Sequence, residues 1–138
     1  IGDGVNLASR LEGANKFYGT SILVSENSFS RLVYPHRSRE VDLLRVKGKN
    51  RPAKIYEILD HHDTTSFPNM DDLLACYKNA INLYHKREWE AAGRAFGEAL
   101  ELHPGDTLSR VYADRCAHFL HEPPPDDWDG IWVMHTKS

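Results

Sequence analysis

The sequence predicts an α+β protein, with a mixed segment first and a helical segment after it. In residues 1–60 a helical pattern gives way to short strand-like runs of apolar residues. From Met70 onward, apolar residues recur at helical spacing as far as His121, where three prolines follow and end the helical pattern. The predicted division is residues 1–60, a linker at 61–69, a helical region at 70–122 and a tail containing Pro and Trp at 123–138.

The composition is that of a soluble globular protein. Of the 138 residues, 41% are hydrophobic and 27% charged, and the net charge is −3. This charge gives no reason to expect nucleic acid as a partner. The two cysteines, Cys76 and Cys116, stand far apart and lack neighbours at zinc-ligand spacing, which indicates reduced thiols of a cytoplasmic protein. Since a helix signal begins almost at Ile1, we expect the chain to be part of a longer protein.

The first predicted helix begins after a glycine-containing turn, with Asp3 as its N-cap. Gly19 is suited to end it, because glycine readily adopts the left-handed conformation found beyond helix C-termini. The apolar stripe of this helix consists of Leu7, Leu11, Ala14 and Tyr18.

A strand, a short helix and a hairpin are predicted next. Residues 21–25 are an apolar run compatible with burial on both faces. The hairpin pairs residues 40–47 with residues 53–59 across a turn rich in Gly, Asn and Pro. The short helix is capped by Ser25, and its inward residues are Phe29, Leu32 and Val33.

Asn6 and Arg10 are the first candidate functional residues. They are one helical turn apart and lie at the border of the apolar stripe. Arginine suits a phosphate in a transition state, because it stays charged and can donate two parallel hydrogen bonds. Spacing alone, however, fits an ordinary exposed Asn–Arg pair on a surface helix better than a site.

Three motifs together resemble the class III adenylate and guanylate cyclases. Residues 2–12, GDGVNLASRLE, resemble the signature helix of that family, in which Val-Asn-x-Ala-x-Arg follows a glycine-containing turn. Residues 18–25, YGTSILVS, resemble the strand that follows, and residues 45–49 (RVKGK) with 55–58 (IYEI) resemble the closing hairpin. The resemblance implies the C-terminal half of a cyclase-type α/β sandwich over residues 1–60.

The resemblance also implies roles for three residues. Asn6 would position the ribose, Arg10 would stabilise charge on the α-phosphate, and Lys47 would hold the terminal phosphates. ATP is the implied substrate, and GTP is the nearest variant. Members of the family use two ions, Mg²⁺ or Mn²⁺, whose carboxylate ligands would lie upstream of Ile1. Because the family builds its site across a head-to-tail dimer, a homodimer is implied, and this chain alone is expected to be inactive.

Other candidate sites have simpler interpretations. The acidic groups Asp71–Asp72 and Asp126–Asp127–Asp129 lack the strand context of the family's metal ligands. Residues 47–54 carry several basic side chains, but without interleaved aromatic residues they indicate a solvated hairpin tip more than a nucleic-acid site. His61 and His62 are expected to point in different directions and to hold no metal.

The helical region resembles a tetratricopeptide repeat. Residues 88–102 fit the second helix of such a repeat, whereas the first helix has Cys76 and Asn79 where large residues are usual. Residues 107–121 fit a capping helix, and a protein partner is expected for this region. Trp128 and Trp132 are expected to pack on the helices. The pattern that supports the second repeat helix is Ala92, Phe96, Ala99 and Pro104.

The Pro- and Trp-containing tail resembles tails of bacterial membrane-bound cyclases. A cytoplasmic domain of a membrane-anchored parent is therefore implied. Two functions remain open at this point. The chain could belong to an adenylate cyclase, or to a degenerate cyclase domain kept for dimerisation and scaffolding with protein binding through its helices.

Overall fold

The computed structural model describes residues 15, 17–20, 22–32, 37–45 and 52–132. The chain divides into two compact units. The sheet unit comprises Ile1–Asp60 with Trp128–Ser138, and the helical unit comprises His61–Asp127. The described elements are a small antiparallel sheet and four helices, so the predicted α+β class is confirmed.

Three strands form the described sheet, in the order β1-β3-β2: β1 is Leu23–Ser25, β2 is Ser38–Arg45 and β3 is Pro52–Ile58. Both pairings are antiparallel, so the predicted hairpin is confirmed for β2 and β3. Its turn lies outside the described residues. All three residues of β1 are half-buried, whereas the apolar run at 21–25 was compatible with full burial on both faces.

A short helix, α1 (Glu26–Ser30), follows β1 directly. The Ser28 N–H donates to the Ser25 side-chain oxygen at 3.2 Å, which confirms Ser25 as the N-cap. Phe29 stacks on Tyr56 of β3 with ring centroids 4.3 Å apart, as an inward residue should. Leu32 is instead 40% exposed, since the helix ends before it, and Val33 lies outside the described residues.

Three longer helices make up the helical unit: α2 (Met70–His85), α3 (Trp89–Leu102) and α4 (Thr107–His121). Each packs against the next, and aromatic rings fill the space among them. The Tyr112 ring is central, because it stacks on Phe96 (5.1 Å) and meets Tyr84 edge-on (4.9 Å). As predicted, helical structure ends before the three prolines.

Polar contacts fasten the ends of these helices. Asn69, in the left-handed conformation, donates from Nδ2 to the Leu102 carbonyl at 2.7 Å and so ties the start of α2 to the end of α3. Arg87, in the turn between α2 and α3, donates to the carbonyls of Pro125 and Asp126, each at 3.1 Å. The chain beyond α4 is thereby held against the α2–α3 turn.

The segment from Trp128 belongs to the sheet unit, whereas Trp128 and Trp132 were expected to pack on the helices. A turn explains this placement. The Trp128 indole donates to the Ile131 carbonyl at 2.8 Å, and Gly130 has φ +91°, a conformation that favours glycine. A Cβ at position 130 would lie 2.9 Å from Leu43 Cδ1 of β2, so the chain approaches the sheet closely at this glycine.

Within the described ranges, no helix is both long and apolar enough to cross a membrane.

Candidate functional site

The three residues to which the resemblance assigns chemistry, Asn6, Arg10 and Lys47, lie outside the described residues. What the structure describes is a framework that follows Asn6 and Arg10 in the chain and lies on either side of Lys47. This framework consists of the end of the first helix, the strand β2 that precedes Lys47, and β3, which pairs with β2.

The first helix ends at a glycine, as predicted. Asn15, Phe17 and Tyr18 are helical, and Gly19 follows with φ +68°. The Thr20 N–H donates to the Asn15 carbonyl at 3.0 Å, which is the 6→1 bond of a Schellman cap. A second hydrogen bond, from the Thr20 hydroxyl to Asn15 Oδ1 at 2.8 Å, reinforces the cap. The C-terminus of this helix is therefore well defined.

Tyr18 joins this helix end to β2. Its hydroxyl donates to Asp42 Oδ2, and both residues are 4% exposed. The other carboxylate oxygen of Asp42 accepts the Leu43 N–H at 2.8 Å. Asp42 is thus a buried carboxylate with a hydrogen bond at each oxygen, which is how proteins accommodate such groups.

A β-bulge sets the direction of Asp42. The pairing of β2 with β3 shifts register between Glu40, opposite Tyr56, and Asp42, opposite Ile55. Val41 is the extra residue, and it and Asp42 are both buried although they are adjacent. In a regular strand adjacent side chains point to opposite faces, so the bulge is what allows both to be buried.

A buried ion pair crosses from β2 to β3. Arg39 and Glu57 are directly opposite in the sheet, with Arg39 Nε 2.9 Å from Glu57 Oε1. Their side chains are 4% and 3% exposed. Further along the hairpin, Lys54 Nζ lies 3.7 Å from Glu40 Oε1, so one of the basic side chains of residues 47–54 has an acidic neighbour.

Neither cysteine has the character of a nucleophile or metal ligand. Burial raises the pKa of the Cys116 thiol to about 12, and burial likewise raises the pKa of Cys76. In the parts of the chain that the structure describes, no three His, Cys, Asp or Glu side chains form a group able to hold a metal ion.

The expectation that His61 and His62 point apart was wrong. Their ring centroids are 4.1 Å apart, and His62 also contacts Phe67. His62 Nδ1 lies 3.0 Å from the Ser66 hydroxyl, within a turn organised by Asp63. The backbone N–H groups of Ser66 and Thr65, which donate to the Asp63 carboxylate, lower its pKa. The two imidazoles are therefore part of a local turn.

The sequence did not lead us to predict that four polar residues are buried and paired around the helix end and the hairpin: Tyr18, Arg39, Asp42 and Glu57. Tyr18 was interpreted only as an apolar member of its helix. One signal was available: charged residues at positions 39, 42 and 57 interrupt strands whose other residues include Val41 and Ile55. Their pairing depends on the register of two strands, which the sequence does not specify.

Comparison with known proteins gives three matches to proteins named adenylate cyclase. A terminal-differentiation specific adenylate cyclase of Dictyostelium discoideum is 32% identical over 119 residues, which are 84% of this chain and 6% of that protein. An adenylate cyclase of Anabaena cylindrica is 44% identical over 61 residues, 42% of this chain and 12% of that protein. Adenylate cyclase 1 of Rhizobium meliloti (strain 1021) is 41% identical over 59 residues, 43% of this chain and 9% of that protein.

The chain is thus a cyclase-related protein. It spans between 6% and 12% of the length of these relatives. No family model matches the chain. No solved structure matches it either.

Proposed function

We propose that this chain is the C-terminal part of the catalytic domain of an adenylate cyclase, followed by a helical extension. The similarity to three proteins named adenylate cyclase carries the proposal. The order of motifs agrees with it, because the signature-helix, strand and hairpin motifs occur collinearly in residues 2–58. The reaction is the conversion of ATP to cyclic AMP and pyrophosphate, with GTP as the nearest alternative substrate.

The chemistry assigned to this chain is positioning and charge stabilisation. The ribose 3′-hydroxyl attacks the α-phosphorus, loses its proton, and displaces pyrophosphate. Asn6 would orient the ribose, and Arg10 would neutralise charge that develops on the α-phosphate oxygens. Lys47 would bind the terminal phosphates and so stabilise the leaving group. These are the tasks that proteins perform in phosphoryl transfer, where little covalent chemistry falls to the side chains.

The residues that would hold the metal ions are proposed to lie outside this chain's 138 residues, in a longer protein. Two Mg²⁺ or Mn²⁺ ions would supply activation of the attacking hydroxyl and neutralisation of the phosphates. The donors needed to hold them do not come together among the described residues. The resemblance to the class III cyclases is the reason for proposing that their carboxylates precede Ile1 in a longer protein. In a homodimer they would face Asn6 and Arg10 of the second subunit, and residues 1–138 alone would be inactive.

The helical unit is proposed to bind a protein partner. Its α2 and α3 form a packed pair, as the two helices of a tetratricopeptide repeat do, and Ala92, Phe96 and Ala99 of α3 are all fully buried. With α4 as a cap, one such repeat buries limited apolar area alone, and repeat units gain stability from what stacks on them.

A product assay tests the proposed function. The full-length protein that contains this chain, supplied with ATP and Mg²⁺ or Mn²⁺, is expected to release cyclic AMP and pyrophosphate in equal amounts. A parallel assay with GTP gives the base preference. A folded protein that binds divalent ions and forms no cyclic nucleotide from either substrate would overturn the proposal and favour a degenerate, scaffolding domain.

A further inference from the structure

We propose that the hydrogen bond between Tyr18 and Asp42 is a positioning contact for the cyclase reaction. It would fix the helix that carries Asn6 and Arg10 against the strand that leads to Lys47. This inference rests on the proposed function and adds two residues to it, neither of which touches the substrate.

The contact joins two elements whose chain neighbours have assigned roles. Tyr18 is the last helical residue before Gly19, and Arg10 precedes it by eight positions in the sequence. Asp42 lies on β2, whose last residue, Arg45, precedes Lys47 by two positions. The two cations proposed for the site, Arg10 and Lys47, therefore neighbour in sequence the two elements that this hydrogen bond joins.

Both partners of the hydrogen bond are held in place by neighbouring groups. The Schellman cap at Gly19 fixes the end of the helix and so limits rotation of Tyr18. The bulge at Val41 places Asp42 among buried residues, and the Leu43 N–H holds the second carboxylate oxygen at 2.8 Å. A carboxylate restrained in this way can set the position of the hydroxyl that it accepts.

A buried ion pair restrains the same strand close to Asp42. Arg39 lies on β2, three positions before Asp42. Its Nε is 2.9 Å from Oε1 of Glu57 on β3. The strand that receives Tyr18 is therefore anchored in the sheet. A shift of about 1 Å in the position of a catalytic group can lower a rate about 100-fold, so a small movement of the helix would be visible in kcat.

Kinetics of hydroxyl-deletion variants test the inference in the full-length protein. Tyr18→Phe removes only the hydroxyl and is expected to lower kcat about 10-fold, with the KM for ATP changed less than about 3-fold. Tyr56→Phe is the control, because Tyr56 is a half-buried tyrosine of the same unit and its ring contact with Phe29 is retained. Its kcat is expected to stay within about 2-fold of wild type.

A double-variant cycle separates positioning from general stability. If the two residues act as one contact, Tyr18→Phe combined with Asp42→Ala lowers kcat no further than Asp42→Ala alone. Asp42→Asn keeps an oxygen that can accept the hydroxyl, so it is expected to retain more activity than Asp42→Ala. Should Asp42→Ala fail to fold, the comparison of Tyr18→Phe with Tyr56→Phe carries the test, because both variants leave the Asp42 carboxylate in place.

Three results would count against the inference. The first is a folded Tyr18→Phe protein with the kcat of the Tyr56→Phe control, which would leave only a structural role. The second is a double variant whose fold-loss of kcat equals the product of the losses in Tyr18→Phe and in the Asp42 variant. The third is a wild-type protein that forms no cyclic nucleotide, which would remove the proposed function together with the inference, whereas the first two leave the function standing.

Discussion

Replacing Arg10 with Ala is expected to lower the kcat for cyclic AMP formation about 100- to 1,000-fold, the range observed when one preorganised transition-state donor is removed. The KM for ATP should change little, because the charge that Arg10 is proposed to neutralise develops mainly as pyrophosphate leaves. The measurement is the initial rate of cyclic AMP release by the full-length variant, over a range of ATP concentrations and at saturating Mg²⁺ or Mn²⁺.

Two further variants make the Arg10 result specific. Arg10→Lys keeps the charge but loses the planar, two-point donor, so its kcat should lie between those of Arg10→Ala and wild type. Arg110 is an exposed arginine on α4, and Arg110→Ala should leave kcat unchanged. An Arg10→Ala protein with wild-type kcat would remove Arg10 from the proposed site.

Removing one partner of the buried ion pair is expected to have the largest effect on stability. Arg39 is 7% exposed, and its Nε lies 2.9 Å from Glu57 Oε1. Glu57→Ala removes this carboxylate and leaves the guanidinium buried. Loss of one partner from a buried pair typically lowers the free energy of unfolding by about 3–5 kcal/mol. The measurement is denaturant unfolding of the variant and of wild type, combined with hydrogen exchange of the β2 and β3 amides to assign the loss to the sheet unit.

Controls for this prediction come from the same chain. Glu90 and Arg94 on α3 form an exposed pair at 2.8 Å with side chains 75% and 68% exposed, so Glu90→Ala should change stability by less than about 0.5 kcal/mol. Replacing Arg39 and Glu57 together with apolar residues should recover much of the loss, because neither residue of the pair is then left as a buried charge without its partner. Equal effects of Glu57→Ala and Glu90→Ala would show that the pair contributes nothing beyond a surface contact.

The elements set by local patterns could be predicted from the sequence. The bounds of α2 and α4 agree with the apolar periodicity, and α3 begins one residue later than expected. The strand–helix–hairpin order of the sheet unit followed from β-type runs separated by turn residues. The end of the first helix followed from Gly19, which does adopt a left-handed conformation.

The features that depend on distant residues could not be predicted. The bulge at Val41 is a property of how β2 pairs with β3, and without it Asp42 would not be placed to meet Tyr18. The Arg39–Glu57 pair likewise requires the exact register of the hairpin. The association of residues 128–132 with the sheet unit depends on a glycine turn and on its close approach to Leu43, neither of which a helical pattern indicates.

The site residues themselves were found by family resemblance, since spacing alone gave Asn6 and Arg10 an ordinary surface interpretation. Resemblance also supplied Lys47 and the two metal ions, all of which stay predictions. The structure added a feature that the resemblance had not indicated. This feature is the set of buried polar contacts that joins Tyr18 to Asp42 and Arg39 to Glu57. Motif and framework are thus independent observations that can be tested by separate variants.

Subunit mixing tests most directly the claim that this chain supplies one half of a shared site. One full-length protein carries Arg10→Ala, and the other retains Arg10 but has the proposed upstream metal carboxylates replaced. Each alone should be nearly inactive. In a symmetric dimer with two sites, an equimolar mixture that exchanges subunits should recover about a quarter of wild-type activity, because half of the dimers hold one intact site. A mixture that exchanges subunits and yet forms no more cyclic AMP than either variant alone would contradict the shared site.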